Sequence, residues 1–209
     1  DNVNRYLYDS AVVKDMGNGR WFVDLGKEIV GGLHLELNSP VSQEITLHYG
    51  EEGNAETGDV QWQMNTGNKY EEKWTLKEGE QTIENIGMKT FRYVEILNVP
   101  EGVTLTTDNF KGLASHQEFS EDESSFNSSD DLLNRIYDTM KYTIKATNQD
   151  LMVDSQSRER GAYEGDVLIN QMSSYSFEDD YSLARFSMEY LETHRTWPVE
   201  YVLYMVNST

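Results

Sequence analysis

Two hydrophobic periods divide this chain. Leu33, Leu35 and Leu37 alternate with His34, Glu36 and Asn38, and Ile45, Leu47 and Tyr49 alternate with Thr46 and His48. Period-two alternation predicts strands that bury one face. Trp21–Leu25 is a short apolar run that Gly26 breaks, while Tyr70, Trp74, Leu76 and the stretch Phe91–Ile96 add further strand signals. Gly, Asn and Glu clusters at 50–58 and 77–79 supply turns, and Gly31-Gly32 reads as a bend or bulge before a strand. Several short strands at this spacing predict an antiparallel β-sandwich over residues 1–119.

The period changes after His116. An acidic, Ser-rich stretch, 120–131, reads as a linker that ends in a helix cap at Ser128 or Ser129, with Asp130 and Asp131 in the first turn. Leu132, Ile136, Met140 and Ile144 then recur every four residues, widened by Leu133 and Tyr137, which predicts an amphipathic helix and closes a linker segment of 120–150. A charge-dense loop follows. Gly165-Asp166 opens a second helix, a third runs from about Asp180 with Leu183, Phe186, Tyr190 and Leu191 on one face, and Pro198 begins a fourth.

Composition narrows the partners. Lys and Arg number 17 against 37 Asp and Glu, a net charge of −20. That balance repels phosphate backbones and anionic membrane surfaces, so neither nucleic acid nor membrane is an expected partner. A neutral ligand such as a sugar suits it. No Cys is present, which excludes disulfides, thiolate metal sites and cysteine nucleophiles. The four His residues are far apart and lie mostly on strand faces, so no metal site is expected. Gly31-Gly32 lacks the spacing of a dinucleotide fingerprint, no Ser-His-Asp arrangement stands out, and no cofactor is implied. The sequence sets neither compartment nor oligomeric state, and homo-oligomerisation stays open.

The charge-dense loop runs Asp154-Ser-Gln-Ser-Arg-Glu-Arg-Gly-Ala-Tyr-Glu-Gly-Asp166. Asp154, Glu159, Glu164 and Asp166 would repel one another if all were buried and ionised. Pairing with Arg158 and Arg160 relieves part of that, and a carboxyl that stays protonated relieves more. A protonated carboxyl beside charged ones is what a glycosidase requires of its general acid. The alternative is a solvated, charge-rich turn before a helix.

The loop resembles the signature of the α-L-rhamnosidases of glycoside hydrolase family 78, close to D-C-P-x-R-E-R-x-G-W-x-G-D. Asp154, Arg158-Glu159-Arg160 and Gly165-Asp166 stand at matching positions. Ser155 and Gln156 replace Cys and Pro, Gly161-Ala162 stands where Leu-Gly is common, Tyr163 takes the aromatic position usually held by Trp, and Glu164 adds a charge. Val23-Asp24-Leu25-Gly26, Thr46–Glu51, Phe91–Ile96 and Ser129–Asn134 resemble further family segments in the same order.

The resemblance implies a β + α multidomain chain: the β-sandwich, a linker helix, and the start of an (α/α)₆ barrel over 151–209 that the sequence leaves truncated. It implies an inverting glycosidase acting on terminal α-L-rhamnosides, with Glu159 as general acid. Asp154 and Asp166 would accept hydrogen bonds from sugar hydroxyls, although Asp154 could merely end the preceding segment and Asp166 could cap the next helix. Arg158 would orient carboxylates or touch substrate, and Tyr163 would stack on a pyranose face or pack in the core. Glu164 would alter specificity or face solvent. The family's general base lies further downstream, so the chain is expected to be inactive alone. The alternative function is a non-catalytic carbohydrate-binding or structural module with a degenerate site.

Overall fold

The computed structural model describes residues 3–85 and 87–194. It divides into two compact units, one of residues 5–115 and one of residues 116–194 together with the first few residues. The fourth helix predicted from Pro198 lies outside the described residues.

The first unit is an antiparallel, curled eight-stranded sheet. Its strands are β1 (Val3–Asp9), β2 (Val12–Gly17), β3 (Arg20–Ser39), β4 (Gln43–Gly50), β5 (Glu71–Leu76), β6 (Gly79–Glu84), β7 (Lys89–Leu97) and β8 (Phe110–Gln117). The main path runs β1-β8-β3-β7-β4-β5, with β2 and β6 also paired to β3.

The sequence predicts two strands separated at Gly26, but the structure has one 20-residue strand, β3. Its first half pairs with β2 and β7, and its second half with β8 and β6. The register shift lies between Asp24 and Ile29, so the bulge is at Gly26 and not at Gly31-Gly32. The paired glycines serve close approach. A Cβ on Gly31 would stand 2.1 Å from the Leu113 carbonyl oxygen of β8.

The alternating residues make the core. Leu33, Leu35, Ile45, Leu47, Tyr49, Phe91, Val94, Ile96 and Phe110 are each at most 1% exposed. Two residues expected on the wet side of the alternation are buried instead, His34 and His48. Each is bracketed by carboxylates. His34 Nδ1 lies 2.7 Å from Glu84 and Nε2 3.0 Å from Glu36. Burial opposes its charge, but the two carboxylates win and raise its pKa above the ordinary value. His48 sits between Glu95 and Glu71 at 3.0 and 2.9 Å, with Trp62 stacked on its ring. Arg20 then ties Glu95 to Asp59.

The second unit carries three helices, α1 (Asp131–Thr147), α2 (Glu164–Ser174) and α3 (Ser182–Thr193). The cap of α1 is Asp130, which accepts the Leu132 amide at 2.8 Å, and neither Ser128 nor Ser129. Ser128 is engaged elsewhere: its amide and carbonyl both bond the Asn134 side chain. The four-residue stripe of α1 forms as predicted, yet only Ile144 is buried, and Leu132, Ile136 and Met140 are 56%, 44% and 48% exposed. A small core of Met152, Ala162, Val167, Leu183, Ala184 and Leu191 gathers the α2–α3 pair and the loop before it. No helix among the described residues is long and apolar enough to cross a membrane.

Candidate active site

The loop between α1 and α2 is tied to all three helices. The Gln156 side chain donates to the Thr147 carbonyl at the end of α1, at 3.0 Å. Asn170 of α2 donates to the Val153 carbonyl at 3.0 Å, and the Met152 amide donates to the buried Ser187 hydroxyl of α3, also at 3.0 Å. Met152 and Ala162 sink into the small core on either side of the loop. Charged residues thus ride on a backbone that apolar anchors hold.

Asp154 closes the loop on itself. Its amide donates to the Gly161 carbonyl at 2.9 Å, and the Gly161 amide returns to Asp154 Oδ1 at 2.8 Å. Oδ2 accepts the Ser155 hydroxyl at 3.1 Å and Arg158 at 3.4 Å. Burial of the Asp154 carboxyl favours its neutral form. The Gly161 amide, Ser155 and Arg158 outweigh that and hold its pKa below the usual Asp value. Arg160, at φ 52°, makes the left-handed turn that brings Gly161 back, and its guanidinium donates to the Gln156 carbonyl at 2.7 Å.

Within that ring stand Arg158 and Glu159, and Tyr163 follows two residues beyond Gly161. Arg158 Nε lies 3.4 Å from Glu159, so the guanidinium spans the Asp154 and Glu159 carboxylates. The Glu159 side chain is 46% exposed, with its amide on the Ser155 hydroxyl at 3.3 Å. The Glu159 charge raises the pKa of the Tyr163 phenol above its ordinary value. Four of the five residues picked out by sequence therefore form one cluster: Asp154, Arg158, Glu159 and Tyr163.

Asp166 stands apart. It lies half-buried in the first turn of α2, and no hydrogen bond or ion pair engages its carboxylate among the described residues. It does not cap the helix, because α2 begins two residues earlier with Tyr163 in the extended cap position. Glu164, expected to face solvent or to alter specificity, is 1% exposed.

Glu178, which the sequence analysis did not single out, has the most perturbed carboxyl among the described residues. Half-buried between α2 and α3, it is pushed up to about 7, first by burial and then by Asp180 and Glu123, against the opposing amide of Asn148 at 2.7 Å. Its only sequence signal was the acidic run Glu178-Asp179-Asp180. No cluster of three or more potential metal ligands forms among the described residues.

Comparison with known proteins places these elements. The model of the bacterial α-L-rhamnosidase concanavalin-like domain matches residues 14–116, and that of the bacterial α-L-rhamnosidase 6 hairpin glycosidase domain matches residues 121–198. The chain is similar in structure to Streptomyces avermitilis α-L-rhamnosidase complexed with L-rhamnose: TM-score 0.78, 21% identity, over 93% of this chain and 19% of that one. The α-L-rhamnosidase from Dictyoglumus thermophilum gives TM-score 0.74 and 19% identity over 90% of this chain and 21% of that one. The rhamnosidase from Klebsiella oxytoca with rhamnose bound gives 0.67 and 17%, over 89% and 43%. At these identities the likeness is one of fold. The chain spans about a fifth of the length of the first two and less than half of the third. No curated protein matches it.

Proposed function

The chain belongs to the bacterial α-L-rhamnosidase family, and on that premise we propose that it is the sandwich and opening helical part of a glycosidase that removes terminal α-L-rhamnose with inversion. The domains would be the sandwich at 1–119, a linker helix at 120–150, and the start of an (α/α)₆ barrel at 151–209. The exposed apolar residues of α1 suit a helical array that continues in further helices. Rhamnose in the Streptomyces and Klebsiella structures supports the choice of sugar.

The observation that carries the reading is the Asp154–Gly161 clasp, which holds Arg158, Glu159 and Tyr163 on one anchored loop. Glu159 would give its proton to the departing glycosidic oxygen. A second carboxylate would activate water on the opposite ring face, roughly 6.5–9.5 Å away as inversion requires. This proposal places that base outside residues 1–209. Asp154 has both oxygens engaged within the loop, which suits a residue that shapes the site, and Asp166 is the carboxylate with capacity left for sugar hydroxyls. Arg158 would orient the two carboxylates it spans.

The test uses the complete enzyme that contains this chain. Glu159→Gln keeps shape but removes the transferable proton. General-acid help is worth about two to four powers of ten, so a rhamnoside with a sugar leaving group should slow by that order. A nitrophenyl rhamnoside, whose leaving group departs as a stable anion, should slow far less. Equal slowing of both would exclude Glu159 as the acid. The 209-residue chain by itself should release no nitrophenol, and turnover by it would refute the missing base.

A further inference from the structure

We infer that Asn170 is a positioning residue: by bonding one flank of α2 to the loop that carries Glu159, it sets where Asp166 stands beside that loop. The inference rests on the sugar-binding role proposed for Asp166 and adds a residue that acts through it.

The loop opens on three consecutive residues, each tied to a different element. The Met152 amide donates to the Ser187 hydroxyl of α3 at 3.0 Å, the Val153 carbonyl accepts the Asn170 side-chain amide of α2 at 3.0 Å, and the Asp154 amide donates to the Gly161 carbonyl at 2.9 Å. Of these three bonds, only the one from Asn170 reaches the helix that carries Asp166. Val153 directly precedes Asp154, whose ring with Gly161 encloses Glu159.

Helical geometry puts Asp166 on the same flank. α2 buries Glu164, Val167, Gln171 and Ser174 along one face. With about 3.6 residues per turn, Asn170 lies at the edge of that face, and Asp166, one turn earlier, lies beside it as an i, i+4 neighbour. Both are half-buried, while Ile169 and Met172, further round the helix, are exposed. Helical side chains lean toward the N-terminus. Asn170 therefore extends along the flank toward Asp166, and the Val153 carbonyl is held over the turn that Asp166 begins.

Apolar packing alone would leave this placement loose. Val167 holds α2 against the small core, but apolar contact is non-directional and lets a short helix roll. A hydrogen bond fixes both distance and direction, and a displacement of about 1 Å at a reacting site can cost roughly a hundredfold in rate. The residue type matters as well. Lys or Arg could also donate to Val153, but either would pair with Asp166 four residues earlier. A neutral amide makes the bond and leaves that carboxylate to the sugar.

Two experiments decide the matter. In the 209-residue chain, Asn170→Ala replaces the amide with the best helix former. Amide exchange at Gln171 and at Asp154 should keep its wild-type protection, because Val167 and the Gly161 bonds remain. Loss of protection at either would make Asn170 a folding residue and overturn the inference. In the complete enzyme, Asn170→Ala should raise KM about tenfold with kcat little changed, alike for rhamnosides with sugar and nitrophenol leaving groups, because Asp166 would touch the sugar both share. In an Asp166→Asn background the same change should raise KM less than about twofold, as coupled residues are non-additive. No rise in KM, a loss that depends on the leaving group, or the full tenfold in the Asp166→Asn background would overturn the inference while Asp166→Asn alone still raised KM. Failure of the Asp166 reading shows differently: Asp166→Asn alone would leave KM unchanged, and the inference would fall with it.

Discussion

Asp154 and Gly161 bond each other twice, backbone to backbone at 2.9 Å and backbone to carboxylate at 2.8 Å. The pair turns a stretch of charged residues into a closed ring. Asp154→Ala strands the Gly161 amide and should cost about 1–3 kcal/mol. Asp154→Asn keeps an acceptor oxygen and should cost less at neutral pH. Because the folded pKa of Asp154 is depressed, its charge stabilises above the unfolded value and that gain disappears as pH falls through the folded one. The gap between wild type and Asp154→Asn, measured by urea unfolding, should close in acid below the ordinary 3.8.

Glu178 works in the opposite direction. Its folded pKa is raised to about 7, so the folded state holds a proton that the unfolded state has released. Stability from the rest of the helical unit should therefore fall as pH rises from about 5 to 8. Glu178→Gln keeps an acceptor for Asn148 without the charge. It should gain on the wild type steadily across that window, with little difference near pH 4, in urea unfolding followed by helical circular dichroism. A pH-independent difference would mean that Glu178 titrates alike folded and unfolded.

Gly31→Ala forces a Cβ to within 2.1 Å of the Leu113 carbonyl oxygen, at a residue whose φ is 154°. β3 and β8 must separate locally to admit it. The expected loss is about 3 kcal/mol or more, against roughly 0.5–1 kcal/mol of gain from a less flexible unfolded chain. Chemical unfolding of the sheet unit, read by tryptophan fluorescence, measures the balance.

The α1 stripe predicts a difference between this chain and a longer one. Leu132→Lys, Ile136→Glu and Met140→Lys replace side chains that are about half exposed here. In the isolated chain each should change stability by less than about 0.5 kcal/mol and reduce self-association in sedimentation. In the complete enzyme the same changes should destabilise, because further helices would cover the stripe.

How far these features could be read in advance depended on what each required. The α1 period was legible because Leu132, Ile136, Met140 and Ile144 repeat within one element, but what covers them is not local information. The cap was expected at Ser128 or Ser129 and falls at Asp130, whose carboxylate takes the Leu132 amide while the Ser128 hydroxyl is engaged with the Asp130 backbone. β3 was read as two strands because Gly26 and Gly31 resemble breaks. Their need arises from a bulge against β7 and from the approach of β8, whose residues come more than 80 positions later. His34 and His48 looked solvent-facing since their carboxylate partners Glu84 and Glu95 lie 50 and 47 residues away. The loop motif singles out Asp154, Arg158, Glu159 and Tyr163 because they lie within ten residues of one another on one loop, while the burial of Glu164 had no local sign.

The length of β3 also sets an order of events in time. A strand that pairs with β2, β6, β7 and β8 cannot satisfy its edges until the last of them exists. Arg20 waits for Glu95 across 75 residues, and Ser10 waits for the Phe110 carbonyl across 100. Such separations make for slow folding. On the ribosome, the chain between the end of β3 at Ser39 and the start of β8 at Phe110 takes from about 4 to about 14 seconds to make, at about 5–20 residues per second. During that interval Leu33 and Leu35 lack their β8 partners Gly112 and Phe110, and transiently exposed apolar surface of that kind is what makes an incomplete sheet prone to associate.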